Sequence, residues 1–179
     1  MVEGRSYKKI AYLSLGANLG DRAGQIAQAL TLLEQAGVHI TRRSALYETQ
    51  PVDVTPQPWF LNCLVEVETE LLPLGLLRVV QRIERQLGRQ RHPEAATPGP
   101  RTIDIDIIFF GDHVVRLPEL TIPHPRLAER RFVLEPLREL APDFRHPITR
   151  KTAAEMLAEL TSPAQTGGGL PAQVRRYRA

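Results

Sequence analysis

"PGPRTIDIDIIFFGD", residues 98–112, passes from loop-forming proline and glycine into a run of isoleucine and phenylalanine, the composition of a buried β-strand. Strand alternation places Ile103, Ile105, Ile107 and Phe109 on one face, and Asp104, Asp106, Ile108 and Phe110 on the other. The first set is an apolar stripe suited to packing beneath helices. The second begins acidic and turns apolar, which is unlike an ordinary solvated face.

Upstream of this strand the chain supplies five further elements. "KIAYLSLG" (9–16) is a strand, and "ANLGDRAGQIAQALTLLEQAG" (17–37) reads as a loop and a helix. Asp21 is the expected N-cap, Ile26, Leu30 and Leu33 share one face, and Gly37 stops the helix. "VHITRRSALYET" (38–49) and "FLNCLVEVETE" (60–70) are strands, and between them "QPVDVTPQPW" carries enough proline to require a loop. A second helix over 72–88 shows an apolar stripe of Leu76, Val79, Val80, Ile83 and Leu87 and ends at Gly88. The order β-α-β-β-α-β predicts an α+β fold with a ferredoxin-like core, in which both helices pack on one face of an antiparallel sheet and the other face stays available.

Downstream, residues 113–144 mix short extended pieces with helical turns, and "TAAEMLAEL" (152–160) is a short amphipathic helix. A single domain over 1–160 is expected, with 161–179, "TSPAQTGGGLPAQVRRYRA", as a disordered tail.

Composition narrows the class. With 179 residues, 42% apolar and 24% charged, the chain reads as one soluble globular domain. No run of about 18 apolar residues exists, so no membrane span is expected, and the polar start "MVEGRSYKK" is unlike a signal peptide. The lone Cys63, expected to point into the core, excludes an internal disulfide and a cysteine zinc cluster. We expect a cytoplasmic protein. The net charge of +3 favours an anionic partner only weakly, and Lys8, Lys9 and Lys151 are the only lysines among 23 basic residues. Position, not identity, must therefore single out any functional arginine.

Two carboxylates at i and i+2 of a strand stand roughly 7 Å apart. Partly buried and alone, they repel. Either water and the neighbouring Arg89, Arg91 and Arg101 neutralise them, or a divalent cation does, and hard oxygen ligands favour Mg²⁺. Such a pair can hold two ions about 3.5–4 Å apart, the spacing used in phosphoryl chemistry. The motif by itself leaves both readings open.

The longer string resembles a known family. "GPRTIDIDIIFFGD" followed by "LTIPHPRLAERRFVLEPL" is similar to the 6-hydroxymethyl-7,8-dihydropterin pyrophosphokinases of folate biosynthesis. The likeness extends through "YLSLGANLGDR", "YETQPV", "WFLNCLVEVET" and "QRIERQLGR", most of residues 10–147 in the family's order. The resemblance implies an ATP-dependent diphosphotransferase that moves the terminal pyrophosphoryl group of ATP onto 6-hydroxymethyl-7,8-dihydropterin and releases AMP. We expect a monomer without nucleic-acid or membrane partners.

The same resemblance assigns residues. Asp104 and Asp106 match the aspartates that hold two Mg²⁺ ions, and Arg89 and Arg101 match two arginines of a catalytic loop. His124 and Arg130 match groups set against the ATP phosphates, with Thr121, Gln81 and Glu84 bordering the nucleotide. Phe60 and Phe132 match the aromatic pair that sandwiches the pterin, Asn62 reads its polar edge, and Thr49, Pro51 and Val52 complete that pocket. Physically, guanidinium forks suit phosphate oxygens and flat apolar surfaces suit a heterocycle. Arg91 reads as a supporting charge, His92 as surface, and "GANLGD" (16–21) as a strand-to-helix turn lacking the lysine of a Walker loop. Phe60 keeps a stacking surface where some members carry tyrosine, and Pro98 and Glu119 also depart from residues found in some members.

Two rival classes remain at this level. An RNA-binding module fits the sheet, the basic balance and the terminal "RRYR", but lacks the aromatic RNA-contacting strand signature. A catalytically inactive nucleotide sensor would share the fold but has no need to retain Asp104, Asp106, Arg89, Arg101, His124 and Asn62 together.

Overall fold

The computed structural model describes residues 7–51, 57–89, 100–162 and 172–178. In chain order the core elements are β1 (Lys9–Ala17), α1 (Arg22–Gln35), β2 (His39–Arg43), β3 (Tyr47–Thr49), β4 (Phe60–Thr69), α2 (Pro73–Gln86) and β5 (Asp104–Phe110). After them come the hairpin β6 (Val115–Leu117) and β7 (Leu120–Ile122), a 3₁₀ turn at Leu127–Glu129, α3 (Arg131–Leu140), α4 (Ala153–Leu160) and β8 (Val174–Arg176). The main sheet runs β5-β1-β4-β3-β8, with β2 also on β4 and every pairing antiparallel. The fold is ferredoxin-like.

The local signals act as the sequence implies. Asp21 caps α1 by accepting the Gly24 N–H at 2.9 Å, and Gly37 and Gly88 follow the two core helices at φ 75° and 82°. Ile26, Leu30 and Leu33 of α1 and Leu76, Val80 and Ile83 of α2 pack on Ala11, Leu13 and Leu15 of β1 and on Cys63, Val65 and Val67 of β4. Burial pushes the Cys63 thiol up to about 12, so it stays protonated and unreactive.

Four expectations need correction. The strand expected over 38–49 is two strands, because the chain leaves the ladder at Ser44. There the backbone N–H bonds the Leu64 carbonyl at 2.9 Å while the hydroxyl, not a carbonyl, takes the Leu64 N–H at 3.0 Å. In β5 strict alternation fails: the partner register shifts between Tyr12 and Leu13 of β1, so Ile108 has no opposite residue. That bulge turns Ile108 and Phe109 to the same face and sends Phe110 beneath the helices instead.

The second face of the sheet is also left available only at its polar end. Val133, Leu134 and Leu137 of α3, with Met156 and Leu157 of α4, cover Tyr12, Leu64, Ile108 and Phe109. Phe144 closes this core, its ring centroid 4.6 Å from Phe109 and 5.1 Å from Tyr12. Finally, the tail expected to be disordered over 161–179 contains β8, which pairs with β3. Residues 163–171 lie outside the described residues.

One buried polar cluster locks β1, β2 and β4 together at the end of the second core. Glu66 accepts the Tyr12 hydroxyl at 2.7 Å, the Thr41 hydroxyl at 2.8 Å and Arg42 Nε at 3.0 Å, and it also pairs with Arg42 Nη2. The Arg42 hydrogen bonds hold the Glu66 carboxyl down to about 2, against an ordinary value of 4.5. Because the folded value is the lower one, this stabilisation is complete above pH 4.5 and is lost as pH falls through about 2. Glu66→Gln is expected to cost about 2 kcal/mol at pH 7, discounted for the half-exposed Arg42. Denaturant unfolding at a series of pH values checks this, since the two stability curves should converge near pH 2.

Candidate active site

On the second face, three neighbouring strands each change character along their length. β1 runs from Tyr12 to Ser14 and Gly16, β4 from Leu64 back to Asn62 and Phe60, and β5 from Ile108 back to Asp106 and Asp104. Their apolar ends lie under α3 and α4. Their polar ends, together with Arg101, Arg130 and Phe132, line a cavity of about 150 Å³. Pleating puts these side chains on one face, and antiparallel pairing sets the three polar ends side by side.

The two aspartates are neutralised by arginines brought from different elements. Asp104 accepts Arg89 Nη1 on one oxygen and Arg101 Nη1 on the other, each at 2.5 Å. Asp106 accepts Arg130 Nη1 at 2.5 Å on Oδ2. The left-handed Gly88 turns the chain at the end of α2, so that the Arg89 N–H closes on the Glu84 carbonyl at 2.9 Å. Arg89 also pairs with the Glu84 carboxylate, and this buried oxygen takes the Ile105 N–H at 2.8 Å as well. Three guanidiniums thus face three carboxylates.

His124 sits 4.0 Å through Nε2 from Asp106 Oδ2. Its Nδ1 accepts the Arg126 N–H at 3.1 Å, so in the neutral ring the proton lies on Nε2, toward the aspartate. Burial first, and the Arg130 charge second, lower its pKa below 6.5, against the opposing pull of Asp106.

Phe60 and Phe132 are half-buried and line the same cavity. The Arg101 guanidinium lies 5.9 Å from the Phe60 ring centre, and that of Arg130 lies 5.6 Å from Phe132. Each of these arginines therefore joins one aromatic ring to one aspartate. Asn62 is 3% exposed and donates to Thr49 Oγ1 at 2.7 Å. Asn18, equally buried, accepts the Arg101 N–H at 2.8 Å and donates to the Pro58 carbonyl at 3.2 Å, tying the arginine's backbone to the segment before β4.

Of the residues singled out in the sequence, Arg101, Asp104, Asp106, Arg130, Thr49, Pro51, Phe60, Asn62 and Phe132 meet in this cavity, with Arg89 and His124 attached through the aspartates. Glu84 is only 2% exposed and sits beneath Arg89, where a buried anion cannot face a nucleotide. Gln81 is half-buried on α2 and Thr121 is exposed on β7, and neither lines the cavity. Val52, Arg91, His92 and Pro98 lie outside the described residues.

Sequence reasoning passed over Ser14, Gly16, Gln50, Gln57, Arg126 and Glu129, all of which line the cavity. The available signal was two small residues, 14 and 16, on one face of a strand otherwise built from large apolar groups. Gly16 belongs to β1 and not to a turn. A Cβ added there would meet Asn62 Oδ1 at 2.5 Å, and the buried amide, held by Thr49, has little room to retreat. Gly16→Ala is therefore expected to weaken binding of any ligand that hydrogen-bonds Asn62 by about tenfold, while leaving affinity for a ligand held at Asp104 and Asp106 in place. Paired titrations with the two ligands check this.

Asp104 and Asp106 offer hard oxygens, and Asp106 Oδ1 takes no hydrogen bond from the described residues. Among the described residues no three metal-ligating side chains gather. A pair of carboxylates completed by phosphate oxygens and water is the donor set Mg²⁺ takes at nucleotide sites, so the residues present fit that ion.

Comparison with known proteins gives the family. Residues 12–142 match the family model described as 7,8-dihydro-6-hydroxymethylpterin-pyrophosphokinase (HPPK). A 2-amino-4-hydroxy-6-hydroxymethyldihydropteridine pyrophosphokinase of Bacillus subtilis is 47% identical over 132 residues, 73% of this chain and 77% of that protein. Folic acid synthesis protein fol1 of Schizosaccharomyces pombe is 45% identical over 155 residues, 86% of this chain, and this chain spans only 21% of its length. A crystal structure of a Plasmodium falciparum HPPK-DHPS triple mutant shares the fold at a TM-score of 0.73 and 20% identity, over 97% of this chain and 48% of that one.

Proposed function

The chain belongs to the 7,8-dihydro-6-hydroxymethylpterin-pyrophosphokinase family, and from that premise we propose that it transfers the terminal pyrophosphoryl group of ATP to 6-hydroxymethyl-7,8-dihydropterin in folate biosynthesis. One observation carries this reading. A single cavity has a wall suited to phosphates and a wall suited to a flat heterocycle, and Arg101 and Arg130 touch both.

In the reaction the pterin hydroxyl oxygen bonds to the β-phosphorus as the bond from that phosphorus to the α–β bridging oxygen breaks. AMP keeps the bridging oxygen and the hydroxyl proton is released to solvent. Asp104 and Asp106 would hold two Mg²⁺ ions, whose chemistry is neutralisation of the triphosphate charge. Arg89, Arg101 and Arg130 pass from carboxylate to phosphate oxygens when the nucleotide arrives, because a phosphate presents more charge and a better fork for bidentate bonding. There they follow the charge that moves onto the departing phosphate. His124 donates from Nε2 without adding a charge that would compete with the cations.

Phe60 and Phe132 sandwich the pterin, Asn62 reads its amide-like edge, and Thr49 and Pro51 complete that side. The family motif assigns Thr121 and Gln81, outside the cavity lining, to the border of the nucleotide, and Glu84 acts through Arg89 and the Ile105 N–H. Catalysis is then mostly positioning and charge neutralisation. We also place the protein in the cytoplasm as a monomer, with its lone cysteine buried and free. Among the described residues no helix is long and apolar enough to cross a membrane.

Incubation with ATP, Mg²⁺ and the hydroxymethyl dihydropterin tests the reading. AMP and the pterin diphosphate are the expected products. ADP would indicate an ordinary kinase, and nucleotide binding without turnover would indicate a sensor.

A further inference from the structure

The segment 172–178 braces two sides of the heterocycle end of the cavity without lining it. On one side β8 runs antiparallel to β3, with Val174 opposite Thr49, Arg175 opposite Glu48 and Arg176 opposite Tyr47. Backbone bonds extend this ladder, from the Gln50 N–H to the Gln173 carbonyl at 3.0 Å and from the Tyr177 N–H to the Leu46 carbonyl at 2.8 Å. The Gln173 N–H in turn donates to the Gln50 side-chain carbonyl at 3.0 Å. Arg175 donates to Glu48 Oε2 at 3.0 and 2.7 Å and lies 4.8 Å over the Trp59 ring, next to Phe60. The residues held in this way include Thr49 and Gln50, which line the cavity.

On the other side the same segment is bound to α3, which carries Phe132. Arg131 Nη1 reaches the Ala172 carbonyl at 3.5 Å, and Arg176 Nη2 donates to Glu139 Oε1 at 3.2 Å. Glu139 also accepts the Tyr47 hydroxyl at 2.5 Å and the Ala45 N–H at 3.1 Å, closing a triangle of β3, β8 and α3. β3 is only three residues long, and a strand that short is poorly held by a single neighbour.

We propose that β8 is a positioning element of the pterin pocket, fixing the Thr49–Pro51 wall and tying it to the helix that presents Phe132. The inference rests on the reading of this cavity as the pterin site. A wall ordered before the ligand arrives does not charge its ordering entropy to binding, and a wall released from β8 does. The nucleotide side is held by Arg89, Arg101 and Arg130, whose hydrogen bonds and ion pairs go to other elements and not to β8, so its affinity should be independent of the strand.

The test compares the full chain with one ending at residue 171 and with the double variant Arg175→Ala/Arg176→Ala, which keeps the backbone ladder. Binding of 6-hydroxymethyl-7,8-dihydropterin is titrated with a non-hydrolysable ATP analogue and Mg²⁺ present, and the analogue with Mg²⁺ is titrated alone. The truncated chain should bind the pterin on the order of tenfold more weakly and the double variant about threefold, with analogue affinity within about twofold of the full chain. A synthetic peptide of residues 172–179 should restore pterin affinity to the truncated chain. Unchanged pterin affinity, or equal weakening of both ligands, overturns the proposal. Should truncation prevent folding, the double variant decides by the same split. Failure of the unaltered chain to bind the pterin would instead refute the proposed function.

Discussion

Asp106→Asn is expected to lower turnover on the order of a thousandfold, and Asp104→Asn by a similar factor, with the fold intact. These carboxylates are paired with arginines, and the side chains of Asp106 and Asp104 are 29% and 22% exposed, so neither supports the hydrophobic core. Asparagine keeps the shape and one acceptor oxygen but removes the charge that a cation requires. The metal role separates from a purely structural one in a second measurement. Without Mg²⁺, ATP should bind either variant as well as the unaltered chain or better, because a negative charge facing the triphosphate is gone. With Mg²⁺, the affinity gained from the cation should shrink. Near-normal turnover in either variant would sink the assignment.

Glu84→Ala should cost about 3 kcal/mol of stability, because it removes the buried acceptor of both Arg89 and the Ile105 N–H and leaves a guanidinium underpaired. Its effect on function should exceed that loss. Ile105 lies between the two aspartates, so the freed backbone loosens the strand that presents both, and Arg89 loses the tether that aims it at Asp104. Turnover should fall by roughly a hundredfold at a temperature where the variant is still folded. Glu84→Gln keeps an acceptor for the Ile105 N–H and should restore most of the stability. Denaturant unfolding and steady-state rates on the two variants give the comparison. Equal damage from both would mean that the charge, not the position, is what the site uses.

Much of this was legible in the sequence because the governing physics is local. Period-two alternation put Asp104 and Asp106 on one face whatever their partners, and Asp21, Gly37 and Gly88 ended helices by backbone preferences that need no tertiary contact. The family motif carried Arg101, Arg130, Phe60 and Phe132, whose convergence no local rule predicts. Glu84 was visible as a helix residue one turn from Gln81, but its burial depends on how α2 sits on β5, which the helical pattern does not encode.

The sequence by itself determined the element order, the ferredoxin-like core and the shared face of the two acids, since each follows from neighbours a few residues apart. Only the tertiary structure decided that Ile108 bulges and exchanges Phe109 for Phe110, that Gly16 makes room for Asn62, and that Val174–Arg176 closes the sheet beside the pocket. The reason is physical. A strand's register, the clearance above a glycine and the partner of an open edge are properties of two segments meeting across the fold, and neither segment specifies them alone.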